Sequence, residues 1–439
     1  MIKVAKFGGS SLADAKQFKK VGDIIRADES RVYVVPSAPG KRFGGDTKVT
    51  DLLYACYNLA KDGKKFDDPF RDIVSRYNEI IKGLSLDFSL DDDFAAIKES
   101  LETAPDPDYT ASRGEYLNGK VMAAYLGYDF VDPKECIFFD EHGQLDEQKT
   151  KKVMREVLSH HPKAVVPGFY GCGYNGKVKT FTRGGSDVTG SIVAGACQAS
   201  VYENWTDVSG FLVADPRIVK DPVAIKTITY KELRELSYMG AGVLHEDAIF
   251  PVRHEGIPIN IRNTNRPMDD GTWIVESTAQ KSGYTITGIA GKKDFCAVLI
   301  SKDMMNSEIG FGRKVLQAFE ENGISFEHMP SGIDTMTVVV HESEFIPKEQ
   351  QVVSAIHRLA DPDSIEIEAD LSLIAVVGRG MRANRGTAGR IFAALAHAHV
   401  NVRMIDQGSS ELNIIIGVEN KDFETAIRAI YDIFVETQL

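Results

Sequence analysis

Short apolar runs alternate with amphipathic stretches through about the first 275 residues. The runs that predict buried strands are Ile2–Ala5, Val32–Val35, Ala164–Val166 and Ile257–Ile261. The stretches with helical spacing of apolar positions lie near Ala15–Ala27, Asp51–Ala60, Glu115–Leu126 and Lys151–Leu158. Strands that alternate with helices predict a mostly parallel sheet with helices on both faces. We interpret the polar, helical segment from Lys61 to Thr110 as a peripheral insertion.

The last third of the chain contains an internal repeat. Met305–Val340 aligns with Met381–Ile416 without a gap at an offset of 76 residues, and apolar positions match apolar positions. Each copy has the order strand, helix, strand, strand, helix that is typical of a split βαβ unit. A polar stretch with turn residues, Asn263–Gly283, precedes the repeat. The sequence therefore predicts an α/β domain over residues 1–275 and two small α+β domains over residues 285–360 and 361–439.

Composition narrows the classes of function. The 439 residues include 63 acidic and 51 basic side chains, and the net charge of −12 is the opposite of what a nucleic-acid-binding surface needs. No apolar run approaches the ~18 residues that span a bilayer, and the start of the chain lacks the apolar core of a signal peptide. The five cysteines show no paired spacing, which fits a reducing compartment. We expect a cytoplasmic protein with neither a nucleic-acid nor a membrane partner.

A glycine-rich turn follows the first predicted strand. Its residues are Lys6, Phe7, Gly8, Gly9 and Ser10. Two glycines let the backbone approach a ligand closely, and the free N–H groups at the start of a helix attract phosphate. Lys6 adds a positive charge at the carboxyl end of the strand, where open α/β sheets bind ligands. The turn is therefore a candidate phosphate site, although an ordinary strand–helix turn has the same pattern.

A second candidate site precedes a helix rich in small residues. Arg183 stands before Gly184, Gly185, Ser186 and Asp187. Consecutive glycines free backbone N–H groups, Ser186 or Asp187 can cap the helix, and an arginine suits bidentate binding of a carboxylate. The alternative is a capped helix with a surface arginine.

Other polar residues stand at predicted strand ends and helix starts. They are Ser37, Thr50, Glu115, Thr206, Asp207 and Arg217. Hydroxyl and carboxylate groups at such places can contact a substrate, a ribose or a phosphate. Helix capping and turn formation explain the same residues equally well.

Taken in order, these motifs resemble those of the aspartate kinases, enzymes of the amino-acid-kinase fold that phosphorylate the side-chain carboxylate of L-aspartate with ATP and Mg²⁺. The matching motifs are Lys-Phe-Gly-Gly-Ser-Ser, Ser-Ala-Pro-Gly with Thr-Asp, Arg-Gly-Glu, Arg-Gly-Gly-Ser-Asp, and Thr-Asp-Val-Ser-Gly with Asp-Pro-Arg. The C-terminal repeat is similar to the pair of ACT domains of that family. The resemblance implies an amino-acid-kinase-like, mostly parallel sheet between helices, followed by two ferredoxin-like ACT domains.

The resemblance also implies roles for individual residues. Lys6 and Asp187 are expected to be catalytic, with Asp187 organising the lysine on the phosphate side. The expected contacts of L-aspartate are Ser37, Thr50, Glu115, Arg183, Gly184, Gly185 and Ser186. The expected contacts of ATP are Lys6, Phe7, Gly8, Gly9, Ser10, Thr206, Asp207, Leu212, Arg217, Gly242 and Val243.

Two positions depart from the family pattern. Gly242 stands where many members have a lysine that faces ATP, and Leu212 stands where an aromatic residue is common. Arg217 or Lys48 is a candidate to supply the missing positive charge.

Regulation is expected to follow from the ACT pair. Such domains pair between chains, so the resemblance implies a homodimer or homotetramer, with L-lysine, alone or with threonine, as an allosteric inhibitor. Candidate effector contacts in the first repeat are Met304, Gly310, Phe311, Phe326, Glu327 and Asp334. Two alternatives stay open: another kinase of this fold, acting on acetylglutamate or glutamate, and a non-catalytic amino-acid sensor.

Overall fold

A computed structural model describes residues 1–182, 184–242, 250–278 and 284–437. The chain forms two compact units. The first comprises Met1–Phe211, Ala224–Leu233 and Val243–Ala279, and the second comprises Leu212–Val223, Arg234–Gly242 and Gln280–Leu439. The domain boundaries predicted from the sequence stay a prediction.

The first unit is built on an eight-stranded sheet with the order β3-β4-β2-β1-β7-β9-β10-β8. Its strands are β1 (Lys3–Phe7), β2 (Arg31–Pro36), β3 (Asp129–Phe130), β4 (Ala164–Val165), β7 (Val201–Thr206), β8 (Thr227–Thr229), β9 (Ile259–Asn263) and β10 (Thr272–Val275). A separate hairpin is formed by β5 (Tyr170–Cys172) and β6 (Val178–Thr180). Within the eight-stranded sheet only β9 and β10 pair antiparallel among the described residues, which confirms the mostly parallel sheet.

Helices cover this sheet, as the sequence predicts. They are α1 (Ala15–Arg26), α2 (Val49–Lys61), α3 (Asp67–Gly83), α4 (Asp91–Thr103), α5 (Pro107–Leu126), α6 (Glu147–Ser159), α7 (Gly185–Ala196), α8 (Tyr230–Tyr238) and α9 (Phe250–Arg253). The start predicted for α5 is wrong. The helix begins at Pro107 behind an Asp106 N-cap, so Glu115 lies in its interior and no helix dipole acts on it.

The segment from Lys61 to Thr110 is helical, but the interpretation as a peripheral insertion is wrong. Its apolar side chains belong to the same core as β1 and α1. Buried members of that core include Phe70, Tyr77 and Phe94 from α3 and α4, together with Phe7 and Phe18. The exposed polar residues lie on the outer faces of α3 and α4, whereas the inner faces are buried and include one charged side chain, Arg76.

The second unit contains a five-stranded antiparallel sheet with the order β12-β11-β13-β15-β14. Its strands are β11 (Gly288–Ser301), β12 (Thr335–His341), β13 (Ser364–Val377), β14 (Met404–Asp406) and β15 (Asn413–Glu419). The helices of the repeats are α10 (Phe311–Glu321), α11 (Glu342–Phe345), α12 (Glu349–Ala360), α13 (Thr387–His397) and α14 (Phe423–Tyr431).

The internal repeat is visible in the helices. Both ends of α10 and α13 differ by 76 residues, and each helix begins after a glycine with positive φ, Gly310 and Gly386. Two long strands run through both repeats. Gly288–Lys292 of β11 pairs with Leu373–Val377 of β13, and Ala297–Ser301 of β11 pairs with Ser364–Glu368 of β13. Each long strand therefore contributes to the sheet of both repeats.

Candidate functional site

Three neighbouring parallel strands bring the predicted phosphate turn and its neighbours together. Phe7 at the end of β1 pairs with Pro36 of β2 and with Trp205 of β7. The residues that follow these strands therefore lie at one edge of the sheet, where ligands of α/β proteins bind. The turn after β1 is held there because Gly8 N–H donates to the Trp205 carbonyl at 3.0 Å.

Two glycine-containing loops pack against one another at this edge. Gly40 N–H donates to the Gly9 carbonyl at 2.8 Å. A side chain on Gly9 would place its Cβ 2.8 Å from the Ala38 carbonyl oxygen, and one on Gly40 would lie 2.6 Å from the Gly9 carbonyl carbon. Neither loop has room for a larger residue, so the glycines are required by this close approach.

The two predicted catalytic residues are in direct contact. The Lys6 Nζ atom lies 2.5 Å from Asp187 Oδ1, and only 7% of Lys6 is exposed. Asn204, on β7, also donates from Nδ2 to Asp187 Oδ1, at 2.8 Å. The carboxylate thus accepts from both neighbours, which fixes where the lysine ammonium lies.

The start of α7 presents backbone N–H groups beside this pair. Gly184 adopts a left-handed conformation before the first turn, which contains Gly185, Ser186 and Asp187. Phe169 lies against Gly185, and a Cβ on Gly168 would meet the Ser186 side chain at 2.5 Å. The predicted contact Arg183 lies outside the described residues.

Glu115 is buried beneath the loop after β2. It is 6% exposed, and the Ala38 backbone N–H donates to its carboxylate. Burial raises the pKa of the Glu115 carboxyl to about 7, and the Ala38 N–H and the charge of Lys6 oppose that rise. Its Oε2 atom has no hydrogen-bond partner among the residues that the structure describes. An unpaired buried carboxylate oxygen is suited to accept a hydrogen bond from a cationic group.

The loop that leads to Thr50 is anchored by a residue that the sequence did not single out. Buried Arg76, from α3, donates to the Gly40 carbonyl at 3.0 Å and to Asp46 at 2.8 Å. The Asp46 carboxylate also accepts a hydrogen bond from Arg42, and these two arginines hold the pKa of Asp46 well below its usual range. Ser37 and Thr50 are half-buried at the two ends of this loop.

The predicted nucleotide contacts fall in both units. Thr206 ends β7 and Asp207 follows it in the first unit, and the Thr206 hydroxyl donates to Asp207 at 3.2 Å. In the second unit, Leu212 and Arg217 line a cavity of about 530 Å³. Arg217 is exposed and paired with Asp215 at 2.6 Å.

Gly242 is exposed, and no atom of the described residues lies within 4 Å of where its Cβ would be. Val243 lies outside the described residues.

The predicted effector contacts lie in or beside the loops of the first repeat. The Met304 backbone N–H donates to Asp334 Oδ1 at 2.9 Å, so these two residues are adjacent. Met304 and Phe326 expose much of their side chains, whereas Phe311 packs into the core of the repeat. Glu327 hydrogen-bonds to the Tyr238 hydroxyl.

Sequence reasoning missed three buried polar residues of the site: Asn118, Asn204 and Arg76. Asn204 stands inside a buried strand and Asn118 inside a helix that is buried nearly all round, so each is a polar residue at a core position. That mismatch was the available signal, because buried polar groups need partners.

Comparisons with known proteins agree with this architecture. The model of the amino acid kinase family matches residues 1–263, and an ACT domain model matches residues 374–434. Aspartokinase 3 of Bacillus subtilis (strain 168) is 40% identical, over 99% of this chain and 98% of the relative.

Solved structures extend the likeness to three dimensions. The Clostridium acetobutylicum aspartate kinase is 53% identical with a TM-score of 0.90, over 99% of both chains. E. coli aspartokinase III in complex with aspartate and ADP has a TM-score of 0.75 at 23% identity, over 99% of both chains. The same enzyme in complex with lysine and aspartate has a TM-score of 0.73 at 22% identity, over 99% of both chains. At these identities the likeness to the E. coli enzyme shows the fold alone.

Proposed function

Because the chain belongs to the aspartate kinase family, we propose that it transfers the γ-phosphate of ATP to the side-chain carboxylate of L-aspartate in the pocket around Lys6, Glu115 and Asp187. The observation that carries this proposal is the Lys6–Asp187 contact at 2.5 Å, placed beside two glycine loops and a helix start. Positive charge and free N–H groups converge there, as phosphoryl transfer requires.

The pocket needs no general base. The side-chain carboxylate of aspartate is already ionised at neutral pH, so no proton has to leave before it attacks. The chemical difficulty is to bring two anions together in line, and Lys6 with the N–H groups of the turn after β1 would spread the charge that develops on the phosphate. Asp187 and Asn204 would keep Lys6 in position. The second substrate is MgATP, with the ion carried on the phosphates.

On the aspartate side, Glu115 would face the substrate ammonium with its unpaired Oε2 atom. Ser37, Thr50 and the start of α7 (Gly184–Ser186) would hold the rest of the molecule, with Arg183 on the α-carboxylate. On the nucleotide side, Thr206, Asp207, Leu212, Arg217 and the Gly242–Val243 segment would contact ATP. Arg217 is a candidate to replace the charge that Gly242 lacks.

We further propose that L-lysine, alone or with threonine, inhibits the enzyme through the first repeat. Asp334 and Glu327 are carboxylates beside exposed Met304 and Phe326, a combination that suits an amino acid with a cationic side chain. A homodimer or homotetramer through the repeats and a location in the cytoplasm complete the proposal. Among the described residues, no helix combines the length and the apolar character that crossing a bilayer requires.

The test is ADP release from MgATP with L-aspartate, with L-lysine titrated in. We expect turnover that falls as lysine rises, and loss of turnover in Lys6→Met. As a matched control, Lys16→Met replaces a lysine on α1 and is expected to turn over normally. Turnover of N-acetylglutamate without turnover of aspartate would refute the proposed substrate. Turnover that is unchanged by lysine but falls with threonine would refute the proposal that lysine alone inhibits the enzyme.

A further inference from the structure

One face of α5 holds both ends of a single peptide group. Asn118 Nδ2 donates to the Ser37 carbonyl at 2.6 Å, and the Ala38 N–H donates to the Glu115 carboxylate. That carbonyl and that N–H belong to the same peptide bond. Glu115 and Asn118 are three residues apart in a helix, so their side chains project from the same side. The Ser37–Ala38 peptide is therefore fixed in plane by two side chains of one helix.

The amide of Asn118 is used at one end only. Asn118 has no exposed surface, and within the described part of the chain its Oδ1 atom has no hydrogen-bond partner. The orientation of the amide follows from chemistry, because a carbonyl can be met only by the Nδ2 donor. An apolar side chain at this core position would remove the unpaired Oδ1, but it would also remove the donor to the Ser37 carbonyl. The bond to Ser37 is thus the contact that distinguishes asparagine from an apolar residue here.

The neighbouring phosphate-side contacts have a separate anchor. Gly40, which packs on Gly9, is held through its carbonyl by Arg76 at 3.0 Å. Gly8 is held by the Trp205 carbonyl at 3.0 Å. Loss of the Asn118 bond would therefore disturb the start of the loop after β2 and leave the turn after β1 supported.

We propose that Asn118 is a positioning residue of the aspartate pocket. By fixing the Ser37 carbonyl it sets the direction of the Ser37 hydroxyl and aims the Ala38 N–H at Glu115. One Glu115 oxygen is then occupied by the backbone, which leaves Oε2 for the substrate ammonium. The inference rests on the proposed function, and it assigns Asn118 to the binding of aspartate and not to that of MgATP.

The test compares Asn118→Ala with Thr110→Val. Thr110 is a buried residue of the same helix whose hydroxyl donates to the Asp106 carbonyl at 2.7 Å, away from the pocket. We expect Asn118→Ala to raise the KM for aspartate about tenfold, with kcat within about threefold and the KM for MgATP within about twofold of wild type. Thr110→Val is expected to leave all three constants near their wild-type values. A purely structural role would lower stability without separating the two KM values.

A second variant covers the case in which alanine prevents folding. Asn118→Asp keeps the shape and places an oxygen opposite the Ser37 carbonyl, so it is expected to raise the KM for aspartate at least as much. A KM for aspartate within about twofold of wild type, in a variant with an unchanged melting temperature, would overturn the inference.

Failure of the two proposals can be told apart. A wild-type chain that does not turn over aspartate would overturn the proposed function, and this inference with it. A different set of results would overturn the inference alone. In that case the wild type turns over normally, Glu115→Gln raises the KM for aspartate, and Asn118→Ala leaves that KM unchanged.

Discussion

The raised pKa of Glu115 makes a prediction about stability. The carboxyl is buried, and its pKa rises from an ordinary 4.5 to about 7. Below pH 4.5 the group is protonated in both the folded and the unfolded chain. Between pH 4.5 and 7 the unfolded chain has released the proton and the folded chain keeps it, so the folded state loses about 1.4 kcal/mol for each pH unit. Above pH 7 both states are ionised and the loss stops growing.

The magnitude follows from the size of the shift. From about pH 5.5 to pH 7 the cost is about 2 kcal/mol, and over the whole interval it is about 3 kcal/mol. Glu115→Gln removes the titration and keeps the shape. Relative to wild type, this variant should therefore gain about 2 kcal/mol in free energy of unfolding when the pH is raised from about 5.5 to 8.

The assay is urea unfolding followed by tryptophan fluorescence. The two tryptophans of the chain, Trp205 and Trp273, lie in the unit that contains Glu115, so the signal reports on that unit. Taking the difference between variant and wild type at each pH cancels the titration of other groups. Glu99→Gln, on the exposed face of α4, is the matched control and should show no such change.

The result that refutes the reasoning is a free-energy difference between Glu115→Gln and wild type that stays constant within about 0.5 kcal/mol between the two pH values. A second readout is kcat/KM for aspartate, which should fall about fivefold from pH 7 to pH 6 in the wild type, because the ionised fraction of a carboxyl with a pKa of about 7 falls from about one half to about one eleventh and the proposed ammonium contact needs the ionised form. In Glu115→Gln this pH-dependent decrease in kcat/KM for aspartate should disappear.

Three further substitutions test other contacts. Gly9→Ala places a Cβ 2.8 Å from the Ala38 carbonyl oxygen and should cost about 1–3 kcal/mol of stability, together with most of the activity, as measured by urea unfolding and ADP release. Glu203→Gln removes the carboxylate 2.7 Å from buried, charged Arg31 and leaves it the more distant Asp28 at 3.9 Å, so it should lower the free energy of unfolding by about 3–5 kcal/mol; a loss below about 1 kcal/mol would contradict this. Asn204→Leu removes a donor to Asp187 and should reduce kcat about tenfold; an unchanged kcat would show that the bond has no role in turnover.

Elements with a clear hydrophobic period were predictable. The limits of α1, Ala15–Arg26, differ by one residue from the sequence prediction, because one face is apolar and Asp14 caps the start. The start of α5 was missed because the helix is buried on nearly all sides and carries no polar face to reveal its period. The signals at its start, Asp106 followed by Pro107, were present and give the correct boundary.

The residues of the candidate site also fall into a group that the sequence predicts and a group that it does not. Lys6 and Asp187 could be found because glycine turns and a helix start mark them locally. Asn118, Asn204 and Arg76 could not, since what makes each important is a partner far away in the chain: Asn118 and Ser37 are 81 residues apart. Such pairings depend on which strands and helices become neighbours, and composition and spacing do not determine that.

Because two long strands of the second unit run through both repeats, truncating the chain between the repeats would not yield two complete domains. Ending the chain after residue 360 would remove Ser364–Glu368, the strand beside Ala297–Ser301, and would leave Gly288–Lys292 without Leu373–Val377. Expressing the second repeat alone from residue 361 would omit Gly288–Lys292 from its sheet. Neither half carries its complete set of strands as a contiguous stretch. Gene-level exchange of one effector module for another would therefore have to move residues 288–437 together.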